Sequence, residues 1–181
     1  MKLLTLNCHS WQEENQVEKI KYLAEVIKEK QYDVIALQEV SQSIDAKLVN
    51  SIIKEDNFAK LLIDELNKLD EYKYNFIWDY SHIGYDIYEE GLAILTKHEI
   101  EDFKSFYISK SDDKTNYRSR NIINIKVKIN GELIDFYSCH AGWWNDEVEP
   151  FKYQAERLLE NISNENLSFI MGDFNNNALV R

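Results

Sequence analysis

The 181-residue chain carries a net charge of −11, with 44% hydrophobic and 13% aromatic residues. That composition specifies a single folded domain with a sizeable core and excludes a disordered polymer. The acidic balance argues against tight, nonspecific clinging to a nucleic-acid backbone, which depends on Lys and Arg displacing counterions. It leaves room for a protein that engages phosphate locally through a cation held by acidic side chains.

Residues 2–6 predict a short apolar strand, too short for the apolar segment of a secretion signal, with Glu13 and Glu14 close behind. Val17, Ile20, Leu23, Ala24 and Ile27 recur at helical spacing. Residues 33–37 follow as a strand apolar on both faces, as a buried strand must be. Strand, amphipathic helix and buried strand predict an α/β domain. A second helix is expected from Ala59, Leu62, Ile63, Leu66 and Leu69, then strands at 74–78 and 92–95. The polar stretch 109–120 predicts a loop. Ile123, Ile125, Val127 and Ile129 alternate with polar residues, and Asn130-Gly131 turns the chain into a hairpin partner at 132–139. Phe151, Ala155, Leu158, Leu159 and Ile162 predict a third helix, with Pro150 near its first turn. A last buried strand is expected at 167–171. No stretch is long enough to span a membrane. The two cysteines, Cys8 and Cys139, are expected as free thiols in a reducing cytoplasm.

Four of these strands run into a polar residue able to hold metal or phosphate: Asn7, Glu39, His140, and Asp173 with Asn175. Open α/β sheets bind ligands at the carboxyl ends of their strands. If the four ends meet, carboxylates, amides and an imidazole would suit a hard divalent cation and acid–base work on a phosphate. Oxygen donors favour magnesium or manganese over zinc. The Cys8-His9 and Cys139-His140 pairs do not make a zinc site, because neighbours on a strand point to opposite faces. Trp143 and Trp144 are expected in a loop at the mouth of the site, available to an aromatic or apolar group.

Leu-Thr-Leu-Asn at 4–7, Asp-Val-Ile-Ala-Leu-Gln-Glu at 33–39, Glu-Gly-Leu-Ala-Ile-Leu at 90–95, Cys-His at 139–140 and Gly-Asp-Phe-Asn at 172–175 resemble, in order, the motifs of the endonuclease/exonuclease/phosphatase superfamily. The resemblance implies a four-layer α/β/β/α sandwich of two mixed sheets with helices outside. It implies a magnesium-dependent (or manganese-dependent) hydrolase acting on a phosphoester. By the same resemblance, Glu39 is the principal metal ligand and Asn7 the amide beside it. Asp173 and Asn175 position water and phosphoryl oxygens, and Arg120 contacts phosphate. His140 assists the leaving group and donates a hydrogen bond, directly or through one water, to the Glu90 carboxylate, which keeps it charged. His140 is similar to the histidine of the deoxyribonuclease I and sphingomyelinase branches.

The superfamily's pattern continues past Gly-Asp-Phe-Asn to an Asp-His pair with no counterpart up to Arg181. The chain is therefore expected to lack the C-terminal part of the fold, to leave a sheet edge open to association, and to be impaired as a catalyst. A noncatalytic metal- or phosphate-binding module is the alternative. Nucleic acid stays open as a partner but is disfavoured by the charge.

Overall fold

The computed structural model describes residues 1–69 and 73–177. Its elements run β1 (Leu3–Asn7), α1 (Gln16–Lys30), β2 (Val34–Ser43), β3 (Leu48–Asn50), β4 (Ile53–Lys54), α2 (Phe58–Leu69), β5 (Asn75–Gly84), β6 (Tyr88–Thr96), β7 (Ile100–Tyr107), β8 (Asn121–Ile129), β9 (Glu132–His140), α3 (Phe151–Asn161) and β10 (Leu167–Asp173). Two four-stranded sheets form, in the orders β1-β2-β6-β5 and β10-β9-β8-β7, beside the small β3-β4 ribbon. Both large sheets are mixed: β1 and β2 pair in parallel, as do β9 and β10, and the other pairs are antiparallel.

Side-chain alternation explains why the central strands read as unbroken apolar runs. On β2, Val34 and Ala36 face the second sheet and meet Ile123, Ile125, Val127 and Phe136. Ile35 and Leu37 face the other way, against Ile20, Ala24 and Ile27 of α1 and Leu62 and Leu66 of α2. Leu92 and Ile94 of β6 join the first cluster, Ala93 and Leu95 the second. Beyond the second sheet, Tyr137 and Cys139 of β9 pack with Leu158 of α3. The layers are thus α1 and α2, sheet, sheet, α3, the expected four-layer sandwich.

Three expectations need correction. Val17 and Leu159 were assigned to buried helix faces, but both are exposed. On α3 the stripe that meets the sheet is Gln154 and Leu158, and the next residue already points about 100° away. Strand β7 was not expected; it is an edge strand with five consecutive exposed residues, so little apolar alternation marks it. Strand β2 does not end near Glu39 but runs on to Ser43. Among the described residues no helix is long and apolar enough to cross a membrane, and both cysteines are free and buried.

Candidate active site

The two sheets bring their carboxyl ends together. On β2 the ladder with β6 slips between Leu37 and Val40, and Glu39 sits in this bulge with a φ of +51°. A bulge re-aims a side chain, and here neighbouring groups hold it. The Ser10 hydroxyl donates to the Glu39 carbonyl at 2.5 Å and accepts the Ser41 N–H at 2.7 Å. The Trp78 indole N–H donates to the Val40 carbonyl at 2.8 Å. The backbone groups that the slipped register frees are therefore satisfied.

Across the inter-sheet gap, β9 and β10 run parallel with Asp173 in register with His140. Gly172 makes that possible: its φ is +152°, and a Cβ there would lie 2.0 Å from the Cys139 carbonyl oxygen. The glycine of Gly-Asp-Phe-Asn is thus required by close approach of strand backbones. Asn7, at the end of β1, ties the sheets together. Its side-chain amide donates to Glu39 Oε1 at 2.8 Å and Asp173 Oδ2 at 3.1 Å. His140 Nε2 lies 3.7 Å from Glu39 Oε1. The Asn175 backbone N–H donates to Asp173 Oδ1 at 2.9 Å, and its side chain donates to the Ala141 carbonyl at 2.9 Å. Asn7, Glu39, His140, Asp173 and Asn175 therefore form one contiguous cluster.

Beside the cluster opens a cavity of about 360 Å³, lined by Glu39, His82, Glu90, Arg120, His140 and Asn175, with aromatic residues at its mouth. Asn7 and Asp173 line an adjoining groove that shares Asn175 with it. Arg120 is buried, and its Nη1 donates to the Tyr117 and Ser119 carbonyls at 2.7 and 3.0 Å. Its Nε is buried without a hydrogen-bond partner in the described structure.

No direct Glu90–His140 hydrogen bond forms among the described residues. Glu90 is the cross-strand partner of His82, with 3.4 Å between Oε1 and His82 Nε2. The register between β5 and β6 shifts at Tyr80/His82, which places His82 opposite Glu90. Sequence reading missed His82 because that shift has no local mark; an imidazole in the buried half of a strand is its only signal.

The charges differ from expectation too. Burial, then the Arg120 charge, lowers the His140 pKa, although Glu39 and Asp173 pull the other way; it is neutral near pH 7 rather than charged. Burial and Arg120 likewise press His82 down to about 3. Burial, reinforced by the Glu39 charge, raises Glu90 to about 7. For Asp173 burial pushes upward, but hydrogen bonds from Asn7 and Asn175 and the nearby His140 win, and its pKa falls. Burial also pushes both thiols far up, Cys139 to about 12, so neither is poised as a nucleophile.

A model of the Endonuclease/Exonuclease/phosphatase family matches residues 4–178. The chain belongs to that family. A solved family protein from Leptotrichia buccalis is 42% identical, with a TM-score of 0.95 over 98% of this chain and 67% of its own. A family protein from Beutenbergia cavernae is 20% identical, with a TM-score of 0.69 over 95% of this chain and 47% of its own. Truncated TDP2 from Caenorhabditis elegans is 18% identical, with a TM-score of 0.63 over 98% and 62%. The last two show likeness of fold alone. The chain thus spans from about half to two thirds of these proteins' lengths. A search of curated proteins finds no match. Family membership supports a hydrolase of the phosphoesterase or nuclease type, in a family generally dependent on a divalent metal.

The cluster fits such a cation by its donor chemistry. Two carboxylates, Glu39 and Asp173, converge on one amide. Among the described residues no three His, Cys, Asp or Glu side chains form a metal-binding group of their own. Two carboxylates with an amide leave the remaining positions to water and phosphate, a donor set that suits a hard divalent cation.

Proposed function

We infer that the chain forms the core of a magnesium-dependent (or manganese-dependent) phosphoesterase that cleaves its substrate by in-line attack of water. The single observation that carries this reading is the convergence of Asn7, Glu39, Asp173 and His140 from two different sheets onto one spot. A cation held by Glu39, with Asp173 and Asn7 beside it, would supply positive charge to the phosphoryl oxygens. Asp173 and Asn175 orient water and phosphate. Arg120 lines the cavity with a guanidinium whose Nε has no hydrogen-bond partner among the described residues, and its forked donors suit a phosphoryl oxygen. Glu90 titrates near neutrality, where a general acid works best, and it shares the cavity with His140. Glu90, with His82 beside it, is assigned to proton delivery at the leaving oxygen, and the neutral His140 to a hydrogen bond within the same cavity.

The test is hydrolysis of p-nitrophenyl phosphate and bis(p-nitrophenyl) phosphate in chelator, magnesium, manganese and zinc. Activity should vanish in chelator and return with magnesium or manganese. Glu39→Ala should lower kcat/KM about a hundredfold or more, or ~2.7 kcal/mol of transition-state stabilisation. Preference for zinc would contradict the donor argument. Magnesium binding with no hydrolysis of any ester would replace the enzyme with a binding module.

A further inference from the structure

The mouth of the cavity is built differently from its floor. Tyr85, Tyr117 and Trp143 line it, and all three are about half exposed or more, at 62%, 50% and 48%. Each arrives on a separate segment, and each is held. Tyr85 occupies the β5–β6 hairpin turn, closed by the Ile87 N–H to the Gly84 carbonyl at 3.2 Å. Tyr85 and Asp86 both take positive φ, +53° and +60°. Such turns favour Gly and Asn, and a tyrosine there is strained by its own Cβ. Backbone strain tolerated at a pocket points to the pocket. Arg118 links the two segments that carry the other rings. Its guanidinium carbon stacks over the Tyr117 ring at 4.5 Å while its Nε donates to Asp146 at 2.9 Å. Asp146 in turn closes a turn onto the Trp143 carbonyl at 3.2 Å. The buried Glu149 takes the Lys110 and Ser111 N–H groups, which pins the loop that carries Tyr117.

Charge limits what these rings can receive. Among the described residues lining the cavity, Arg120 is the one Lys or Arg, set against Glu39 and Glu90. The cavity therefore offers its own positive charge to one phosphate, not to a run of phosphates. Building on the phosphoesterase reading, we propose that the substrate is a small ester with a single phosphate carrying a flat aromatic group, which lies against Tyr85, Tyr117 and Trp143 while the phosphate sits at Arg120 and the Glu39 cluster. The flat group is an aryl ring or a nucleobase, and the binding chemistry is the same for both: a π face against aromatic side chains, with little dependence on ring edges.

The experiment measures dissociation constants of the 181-residue chain in magnesium for inorganic phosphate, phenyl phosphate and cyclohexyl phosphate by calorimetry. Phenyl phosphate should bind at least tenfold more tightly than cyclohexyl phosphate, as stacking on an aromatic face predicts. Tyr85→Leu and Trp143→Leu should each bring that ratio to within twofold, and Tyr85→Phe should keep it. A parallel pair, thymidine 5′-phosphate against 2-deoxyribose 5-phosphate, separates the sources: a tenfold preference there supports a nucleobase, and its absence beside a retained phenyl preference supports an aryl ester. Equal binding of phenyl and cyclohexyl phosphate, with inorganic phosphate still bound, overturns the aromatic substrate and leaves the phosphoesterase reading standing. A phenyl preference that survives both leucine variants overturns the assignment to these rings. Failure of all phosphates to bind overturns the phosphoesterase reading and this one together.

Discussion

At the scale of single residues, Glu90 is the most informative group in the site. It is buried against His82 and close to the Glu39 charge, and its pKa is raised from 4.5 to about 7. The folded protein therefore accommodates the protonated acid better than the carboxylate. Stability from this group is complete below pH 4.5 and is lost as the pH climbs through 7. Glutamine is a neutral isostere, so Glu90→Gln should remove that loss. In metal-free buffer the variant should unfold at higher urea than the parent at pH 8, by on the order of 3 kcal/mol, with little difference at pH 4.5. An equal difference at both pH values would place the raised pKa elsewhere. The sequence singled out Glu90 through its motif, and the fold places it on the cavity wall. Its partner was not, because His82 reaches it only through the register shift in β5.

At the scale of elements, the site depends on two irregularities of strand structure. The first is the β2 bulge that presents Glu39. Ser10 lies outside any strand, yet its hydroxyl serves both the Glu39 carbonyl and the Ser41 N–H. Ser10→Ala should take the hydroxyl partner from the Ser41 N–H in a buried place and leave the Glu39 carbonyl only the longer bond from the Ser10 backbone N–H at 3.3 Å, costing roughly 1–3 kcal/mol. Thermal unfolding would read the cost, and magnesium affinity should weaken with it as Glu39 loses its fixed aim. Unaltered stability and affinity would mean that the bulge holds itself. The second irregularity is Gly172. Alanine there collides with the β9 backbone at Cys139, so Gly172→Ala should separate Asp173 from His140 and reduce both stability and metal binding. A crystal structure of that variant with β9 and β10 still in register would contradict the argument. Sequence reading found the residues on these elements but took Glu39 for a strand end. A bulge leaves no periodic signal when both flanking segments are apolar, as 34–37 and Val40 are.

At the scale of the whole molecule, the four-layer arrangement follows from strands that are apolar on both faces, and that feature was plain in 33–37 and 92–95. The helices were legible through Ile20, Ala24 and Ile27 and through Leu62 and Leu66, which do face the sheet. The solvent-facing edge strand β7 was not, since its exposed run carries no pattern of burial. The sandwich matters to function because each sheet supplies half of the cluster: Asn7 and Glu39 from one, His140 and Asp173 from the other. Nuclear magnetic resonance with manganese, whose unpaired electrons broaden nearby signals, measures this convergence directly. Substoichiometric manganese should broaden the amide signals of Asn7, Glu39, His140 and Asp173 together, before those of the acidic surface, and Glu39→Gln should abolish the effect at all four. Broadening that begins on one sheet alone, or that persists undiminished in Glu39→Gln, would contradict a single metal site shared between the two sheets.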